Sequence, residues 1–283
     1  MSDSSKSPGS STAAGTLSRE DVIEAGTSAE APVLVVGLGE VGGPLLQILR
    51  KAHRAVGRDI EDRAFEGVQV LHLCYPYTPD FISAACRYVS LYEPAVVVVN
   101  STVVPGTTRE IQEKTGTSAV YSPVRGKHAR MTEEIRHYRK FVAGTSSPAV
   151  TLVEDHFAAA GVTTQRMSSP EALELAKLLE TTYFGVLVAW AQEMDRFADA
   201  VDTDYWETID FFEEIDFLPP VSFQPGYIGG HCVMPNLELL EQVRHSPFID
   251  VMRESNCRRA REWQERGLST ADRLSPRPAQ QQA

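Results

Sequence analysis

Val33-Leu34-Val35-Val36-Gly37-Leu38-Gly39-Glu40-Val41-Gly42 is the stretch whose reading decides the fold. Four consecutive aliphatic residues predict a central parallel strand buried on both faces. A GxGxxG pattern follows at once, and Pro44-Leu45-Leu46-Gln47-Ile48-Leu49-Arg50 continues with apolar residues at helical spacing. Strand, glycine turn and helix in that order predict a dinucleotide site. The first glycine makes the turn, the second admits a pyrophosphate to the backbone, and the third packs helix against strand, while the helix N-terminus offers N–H groups to the phosphates. Gly37, Gly39, Glu40, Val41 and Gly42 are therefore the expected cofactor contacts. Ala55–Ile60 reads as the second strand, and Asp59 stands 20 positions beyond Gly39, where a ribose-binding acid is expected. That favours NAD over NADP. Arg54 and Arg58 offer a 2′-phosphate contact instead, but solvated basic side chains at a strand edge are the preferred reading of both.

Downstream, Val68–Cys74 predicts a strand that is stopped by the loop Tyr75-Pro76-Tyr77-Thr78-Pro79, with Pro76 beside the cofactor. Phe81–Tyr92 reads as a helix and Ala95–Val99 as a buried strand. Ser101 and Thr102 follow that strand, at the end where open α/β sheets bind ligands. The competing reading of this hydroxyl-rich run is a cap, Thr107 or Thr108 opening a helix over Arg109–Lys114. Strands are expected at Ala119–Ser122 and Lys140–Gly144, with Arg125, Lys127, His128 and Arg130 between them. These four basic or potentially basic residues suit an anionic substrate; a solvated loop balancing Glu133 and Glu134 is the plainer alternative. A helix over 147–159 and a strand over Val162–Met167 complete the first unit.

From Pro170 the pattern changes to long helices. Residues 171–200 carry apolar side chains at helical spacing, and 30 residues span roughly 45 Å. The expected fold class is α/β: a Rossmann-like parallel sheet domain over 31–168, then a helical domain over 169–266 built on one long helix. Residues 1–30, with few large apolar groups, and 267–283, rich in Arg, Pro and Gln, read as disordered tails. Further on, Pro225-Gly226-Tyr227-Ile228-Gly229-Gly230-His231-Cys232 sets a thiol on a glycine-rich turn. Gly229 and Gly230 let a substrate lie against the main chain. Cys232 becomes a nucleophile if its pKa falls, which protonated His231 or a nearby ammonium would supply; otherwise it is a small buried hydrophobe. Lys177 lies early on the long helix beside Glu174, Glu180 and Thr181, where a lysine ordinarily snorkels.

Composition narrows the function. The chain has 283 residues, 42% of them hydrophobic, and a formal charge of −11, which argues against nucleic acid and anionic membrane surfaces as partners. Cysteines 74, 86, 232 and 257 show neither a CxxC pair nor a metal-ligand rhythm, so no disulfide and no metal are expected, and the cytoplasm is the expected compartment. No segment approaches eighteen consecutive apolar residues.

Four of these stretches, in this order, resemble the UDP-glucose/GDP-mannose dehydrogenase family, most closely its UDP-N-acetylmannosamine dehydrogenase branch. They are Val35–Gly42, Ser101-Thr102-Val103-Val104-Pro105-Gly106-Thr107-Thr108, Ala176-Lys177-Leu178-Leu179-Glu180, and Pro225–Cys232. The resemblance implies NAD as cofactor, a sugar or nucleotide sugar as substrate, and oxidation of a hydroxymethyl group through an adduct on Cys232. It implies that Lys177 stabilises developing oxyanions and that Thr102 helps place a water. Thr181 stands where the family has an asparagine, Val124 where it has an acid, and Val233–Asn236 where a charged residue usually follows the cysteine. The chain reads as a truncated relative lacking the C-terminal nucleotide-sugar-binding domain, and only residues 60–67 fill a span where the family has a helix and a strand. A homodimer through the long helix is expected. Two alternatives stand beside this reading: a non-catalytic NAD-binding module, and a two-electron dehydrogenase of hydroxyacid type that uses Lys177 alone.

Overall fold

A computed structural model describes residues 32–59, 66–213, 215–216, 223–230 and 232–268. Residues 1–30, Ile60, His231 and the last fifteen residues lie outside them. The sheet begins with β1 (Val33–Val36), β2 (Ala55–Arg58), β3 (Val70–Leu73), β4 (Val96–Val99) and β5 (Ser118–Tyr121), and continues through β6 (Lys140–Gly144) and β7 (Thr164–Arg166). The order across it is β2-β1-β3-β4-β5-β6-β7. Strands β1, β3 and β4 are buried at every position. Their aliphatic runs face helices on both sides, as a parallel sheet requires.

Around the sheet lie α1 (Gly42–Leu49), α2 (Phe81–Tyr92), α3 (Thr107–Thr115), α4 (Met131–His137) and α5 (Ser147–Ala159). One apolar cluster packs α1, α4 and α5 on one face, with Leu45, Ile135 and Phe157 among its members. The opposite face carries Phe81, Val89 and Ile111 of α2 and α3. The fold class read from the sequence is therefore present, with one departure: β6 runs antiparallel to β5. That reversal returns the chain at Lys140 to the edge where Ser122 leaves β5, and Ser122 Oγ donates to Phe141 O at 2.9 Å.

After β7 comes α6 (Pro170–Ala200), then α7 (Tyr205–Glu213), α8 (Val233–Val243) and α9 (Pro247–Glu265). Ser169 caps α6, its Oγ accepting from Ala172 N at 3.2 Å, and Pro170 opens the helix where no N–H is needed. Ala189, Leu237, Ile249 and Met252 join α6, α8 and α9 in a separate small core.

Two readings change. Residues 131–137, assigned no element from the sequence, form α4, which buries Met131, Glu134 and Ile135. Arg58 is not a solvated strand-edge side chain: it is 7% exposed, lies over the ring of Tyr88 at 5.0 Å and donates to the Tyr92 hydroxyl.

Candidate active site

Strand order reverses between β2 and β3 on either side of β1, and the carboxyl ends of these strands are where an open α/β sheet binds ligands. Gly37 occupies that edge at φ +86°, and a Cβ there would come within 2.8 Å of Tyr75 N. A Cβ on Gly42 would overlap the carbonyl oxygen of Gly37, so this glycine lets α1 seat against β1. Gly39 has no atom within 4 Å of its missing Cβ. The loop thus has two glycines required by packing and one open to a ligand, which fits a pyrophosphate over the α1 N-terminus. Glu40 and Asp59 are exposed, Val41 is partly buried, and Pro76 lies exposed on the neighbouring loop. Ser101 Oγ donates to Tyr75 O at 2.6 Å, tying the loops after β3 and β4 together. Thr102 is half-buried beside it.

Neither threonine caps α3 through its side chain. Gly106 is the N-cap, Thr107 Oγ1 donates to Val104 O at 2.7 Å, and the orphan N–H groups go to Glu174 of α6. Glu174 has no exposed surface and accepts from Gly106 N at 2.6 Å, Thr108 N at 2.9 Å and Thr108 Oγ1 at 2.6 Å. Burial raises its pKa against the pull of these bonds. In the sequence Glu174 stands out only as a neighbour of Lys177. Its helical spacing from buried Pro170 and Leu178 is the signal that it points inward.

Cys232 is the N-cap residue of α8 and is partly buried. Burial raises its thiol above the ordinary 9.0; the Lys177 charge lowers it, and those of Glu40 and Glu180 raise it. The thiol is not the lowered one expected. Lys177 and Glu180 of α6 and Glu40 of the glycine loop thus act electrostatically on the thiol. Lys177 is 12% exposed and pairs through Nζ with Glu180 Oε2 at 2.9 Å. Thr181 Oγ1 donates to Leu178 O at 3.0 Å and accepts from Asn236 Nδ2 at 3.1 Å, which fixes α8 to α6 just beyond the cysteine. The glycine-rich turn is held from behind. Asn256 makes two bonds to Ile228, at 2.7 and 3.0 Å, and Gln192 Nε2 donates to Gly226 O at 2.7 Å. Asn236, Asn256 and Gln192 were not singled out in the sequence. Gly229 and Gly230 are exposed.

Among the described side chains of the basic loop, Arg125 is the one that shares a cavity with Lys177. It lines a cavity of about 240 Å³ with Lys177, Glu180, Phe141, Met167 and Leu173. Its guanidinium lies over Phe141 at 4.8 Å and Tyr138 at 5.5 Å, and Nη2 donates to Arg139 O at 2.7 Å. Lys127 is exposed, Arg130 pairs with Glu134 at 2.8 Å, and the His128 side chain lies outside what is described. Buried Lys140 donates to Ser122 O at 2.7 Å and Pro123 O at 3.2 Å. Burial, reinforced by the charges of Lys177 and Arg125, lowers it to about 7. Among the described residues, the group of His and carboxylates close enough to share a metal is Glu241, His245 and Asp250, and there Arg253 already pairs with Glu241 at 2.6 Å. Among the described residues no helix is long and apolar enough to cross a membrane.

Residues 171–257 match the central domain of the UDP-glucose/GDP-mannose dehydrogenase family. The UDP-N-acetyl-D-mannosamine dehydrogenase of Methanocaldococcus jannaschii is 23% identical over 166 residues, covering 57% of this chain and 39% of that protein. The chain thus spans about two-fifths of the length of the first curated relatives it matches. Among solved structures, it is similar to the UDP-D-ManNAc dehydrogenase of Pyrococcus horikoshii, with a TM-score of 0.73, 20% identity, and coverage of 84% of this chain and 72% of that one. The UDP-glucose dehydrogenase of Pyrobaculum islandicum gives a TM-score of 0.71 at 18% identity with the same coverage.

Proposed function

We propose, from the premise that residues 171–257 carry the central domain of the UDP-glucose/GDP-mannose dehydrogenase family, that this chain is an NAD-dependent oxidoreductase of a sugar or sugar nucleotide. The observation that carries this reading is the bond from Asn236 Nδ2 to Thr181 Oγ1 at 3.1 Å, which holds the helix capped by Cys232 against the turn of α6 that follows Lys177. Residues 31–168 serve as the cofactor domain and 169–266 as the catalytic and dimerisation domain. NAD, when bound, supplies the acceptor for hydride. Gly37, Gly39, Glu40, Val41 and Gly42 hold its phosphates, Asp59 its ribose, and Pro76, Ser101 and Thr102 flank it. Arg58 is committed to Tyr88 and Tyr92, which supports a 2′-hydroxyl over a 2′-phosphate.

Oxidation of the hydroxymethyl group gives an aldehyde. Cys232 Sγ adds to its carbon while the thiol proton passes to the carbonyl oxygen, whose developing negative charge the Lys177 ammonium stabilises. A second oxidation of this thiohemiacetal gives a thioester, and water releases the acid and the thiol, with Thr102, Thr181 and Asn236 offering neutral hydrogen-bonding groups to that water. His231 neighbours the sulfur in sequence. Gly229 and Gly230 let the substrate approach the backbone. The protein works as a cytoplasmic homodimer without nucleic-acid or membrane partners.

The raised thiol favours a second reading, a two-electron oxidation in which Lys177 acts alone. NADH formation from NAD and a panel of sugars and UDP-sugars, beside Cys232→Ala, separates the two. Two NADH per acid, abolished by the substitution, is the expected result. One NADH per aldehyde, with the variant fully active, would replace it with the two-electron reading. Binding of NAD with no turnover by the wild type across that panel would favour a non-catalytic module.

A further inference from the structure

We infer that the cavity beside Lys177 is an oxoanion site in which Arg125 takes a carboxylate or phosphate borne by the substrate. This deepens the reading above and rests on it for the placing of the reacting hydroxymethyl group at Lys177 and Cys232. The substrate is then a compact molecule with an acid group at one end and a primary hydroxyl at the other.

Charge is the first argument. Arg125 and Lys177 line one cavity whose single carboxylate, Glu180, is engaged with Lys177 at 2.9 Å. Among the described residues no carboxylate pairs with Arg125, and one backbone carbonyl, Arg139 O, accepts from it at 2.7 Å. A guanidinium has five donors in a planar fork that matches a carboxylate or phosphate in bidentate geometry. The rings of Phe141 and Tyr138 lie against the guanidinium without neutralising it. In a chain of formal charge −11, this is a local excess of positive charge that an anionic ligand would relieve.

Support and size point the same way. Lys140 anchors the carbonyls of Ser122 and Pro123, so the segment leading into Arg125 is tied to β6. The cavity, at about 240 Å³, is below the ~300–1,000 Å³ common for pockets of drug-sized ligands. Phe141, Met167 and Leu173 give it an apolar lining that strengthens the ion pair formed within. Lys127 and Arg130 do not line it.

The test is calorimetric titration of the full chain with D-gluconate and α-D-glucose 1-phosphate, each an acid at C1 with a free C6 hydroxymethyl, against neutral D-glucose and UDP-glucose. At least tenfold tighter binding of one acid than of glucose is expected, weakening with added KCl. Arg125→Gln should remove that preference and Lys127→Gln should keep it, with circular dichroism checking that both variants are folded. Gluconate or glucose 1-phosphate binding alone tells a carboxylate source from a phosphate one. Equal binding of glucose, no binding of either acid, or unchanged acid binding by a folded Arg125→Gln would overturn the inference. NADH formation is read separately. Acid binding without turnover of any tested compound leaves the cavity assignment standing and counts against the oxidoreductase, whereas turnover of UDP-glucose untouched by Arg125→Gln does the reverse.

Discussion

A carboxylate buried between two helices does at Glu174 what a cap side chain usually does locally. It satisfies donors at the start of α3 from a helix 66 positions away in sequence. Glu174→Ala should strand the N–H groups of Gly106 and Thr108, at a cost of about 2–4 kcal/mol for two unpaired buried donors. Glu174→Gln keeps an acceptor and should lose less; urea denaturation reads both, and an Ala variant as stable as wild type would remove the role. A second buried group gives a pH signature. His72 Nε2 and His156 Nε2 lie 3.0 Å apart, with Asn100 on the other nitrogen of His72 at 3.1 Å. Burial holds His72 well below 6.5 and His156 at about 3. Both are neutral in the folded chain, whereas the unfolded chain binds protons once pH drops below 6.5. Stability should therefore fall as pH falls from 6.5 toward 3, by up to about 2 kcal/mol per histidine between pH 6.5 and 5. In His156→Gln the drop should shrink by that order, and an unchanged slope would show that these rings do not carry it. Neither partnership was legible beforehand, because spacing reveals which face a residue takes and not which distant element it meets.

The glycine loop divides its work among positions in a way that substitution can read out. Gly42→Ala would force a Cβ onto the Gly37 carbonyl and push α1 off β1, an overpacking worth about 1–3 kcal/mol. Gly39→Ala meets nothing within 4 Å, so the fold should keep its wild-type stability while NAD affinity drops at least tenfold. Thermal melts with and without NAD distinguish them; equal loss of stability in both variants would mean the second glycine is also structural. At this scale the sequence was most readable where local chemistry is complete. Ser146 and Ser169, each followed by a proline in the first turn, mark the starts of α5 and α6. Helix α4 escaped notice because seven residues with Met131 and Ile135 on the inner face give too short a period to recognise. Pro235 sits in the first turn of α8, where its missing N–H costs nothing, so it marks no break and Cys232 takes the N-cap position.

Among the described residues, α6 carries a long exposed apolar surface. Leu179, Tyr183, Trp190, Phe197 and Val201 on or just past α6 are 49%, 54%, 54%, 66% and 72% exposed. At 100° per residue these five fall within about 40° of one another, a single apolar stripe running from near Lys177 to the end of the helix. An aliphatic and aromatic seam of this length is what a second copy of the same helix would bury, and two-fold pairing places the same stripe on both sides. Lys177 lies on the other face, roughly 160° round from Leu179, so the stripe itself does not include it. Wild-type protein at micromolar concentration should therefore sediment as a dimer. Trp190→Glu removes one large apolar group from each copy and sets two charges into the seam, which should weaken association by at least about 100-fold, taking one anchor as worth ~1.5–3 kcal/mol per copy. The resulting monomer should stay folded and bind NAD and D-gluconate as the wild type does, because neither the glycine loop nor the Arg125 cavity includes the stripe. A wild type that sediments as a monomer at tens of micromolar would rule out the dimer. A Trp190→Glu protein that stays dimeric would move the interface elsewhere, with Phe248 and Val251 of α9, 72% and 60% exposed, as the next surface to test.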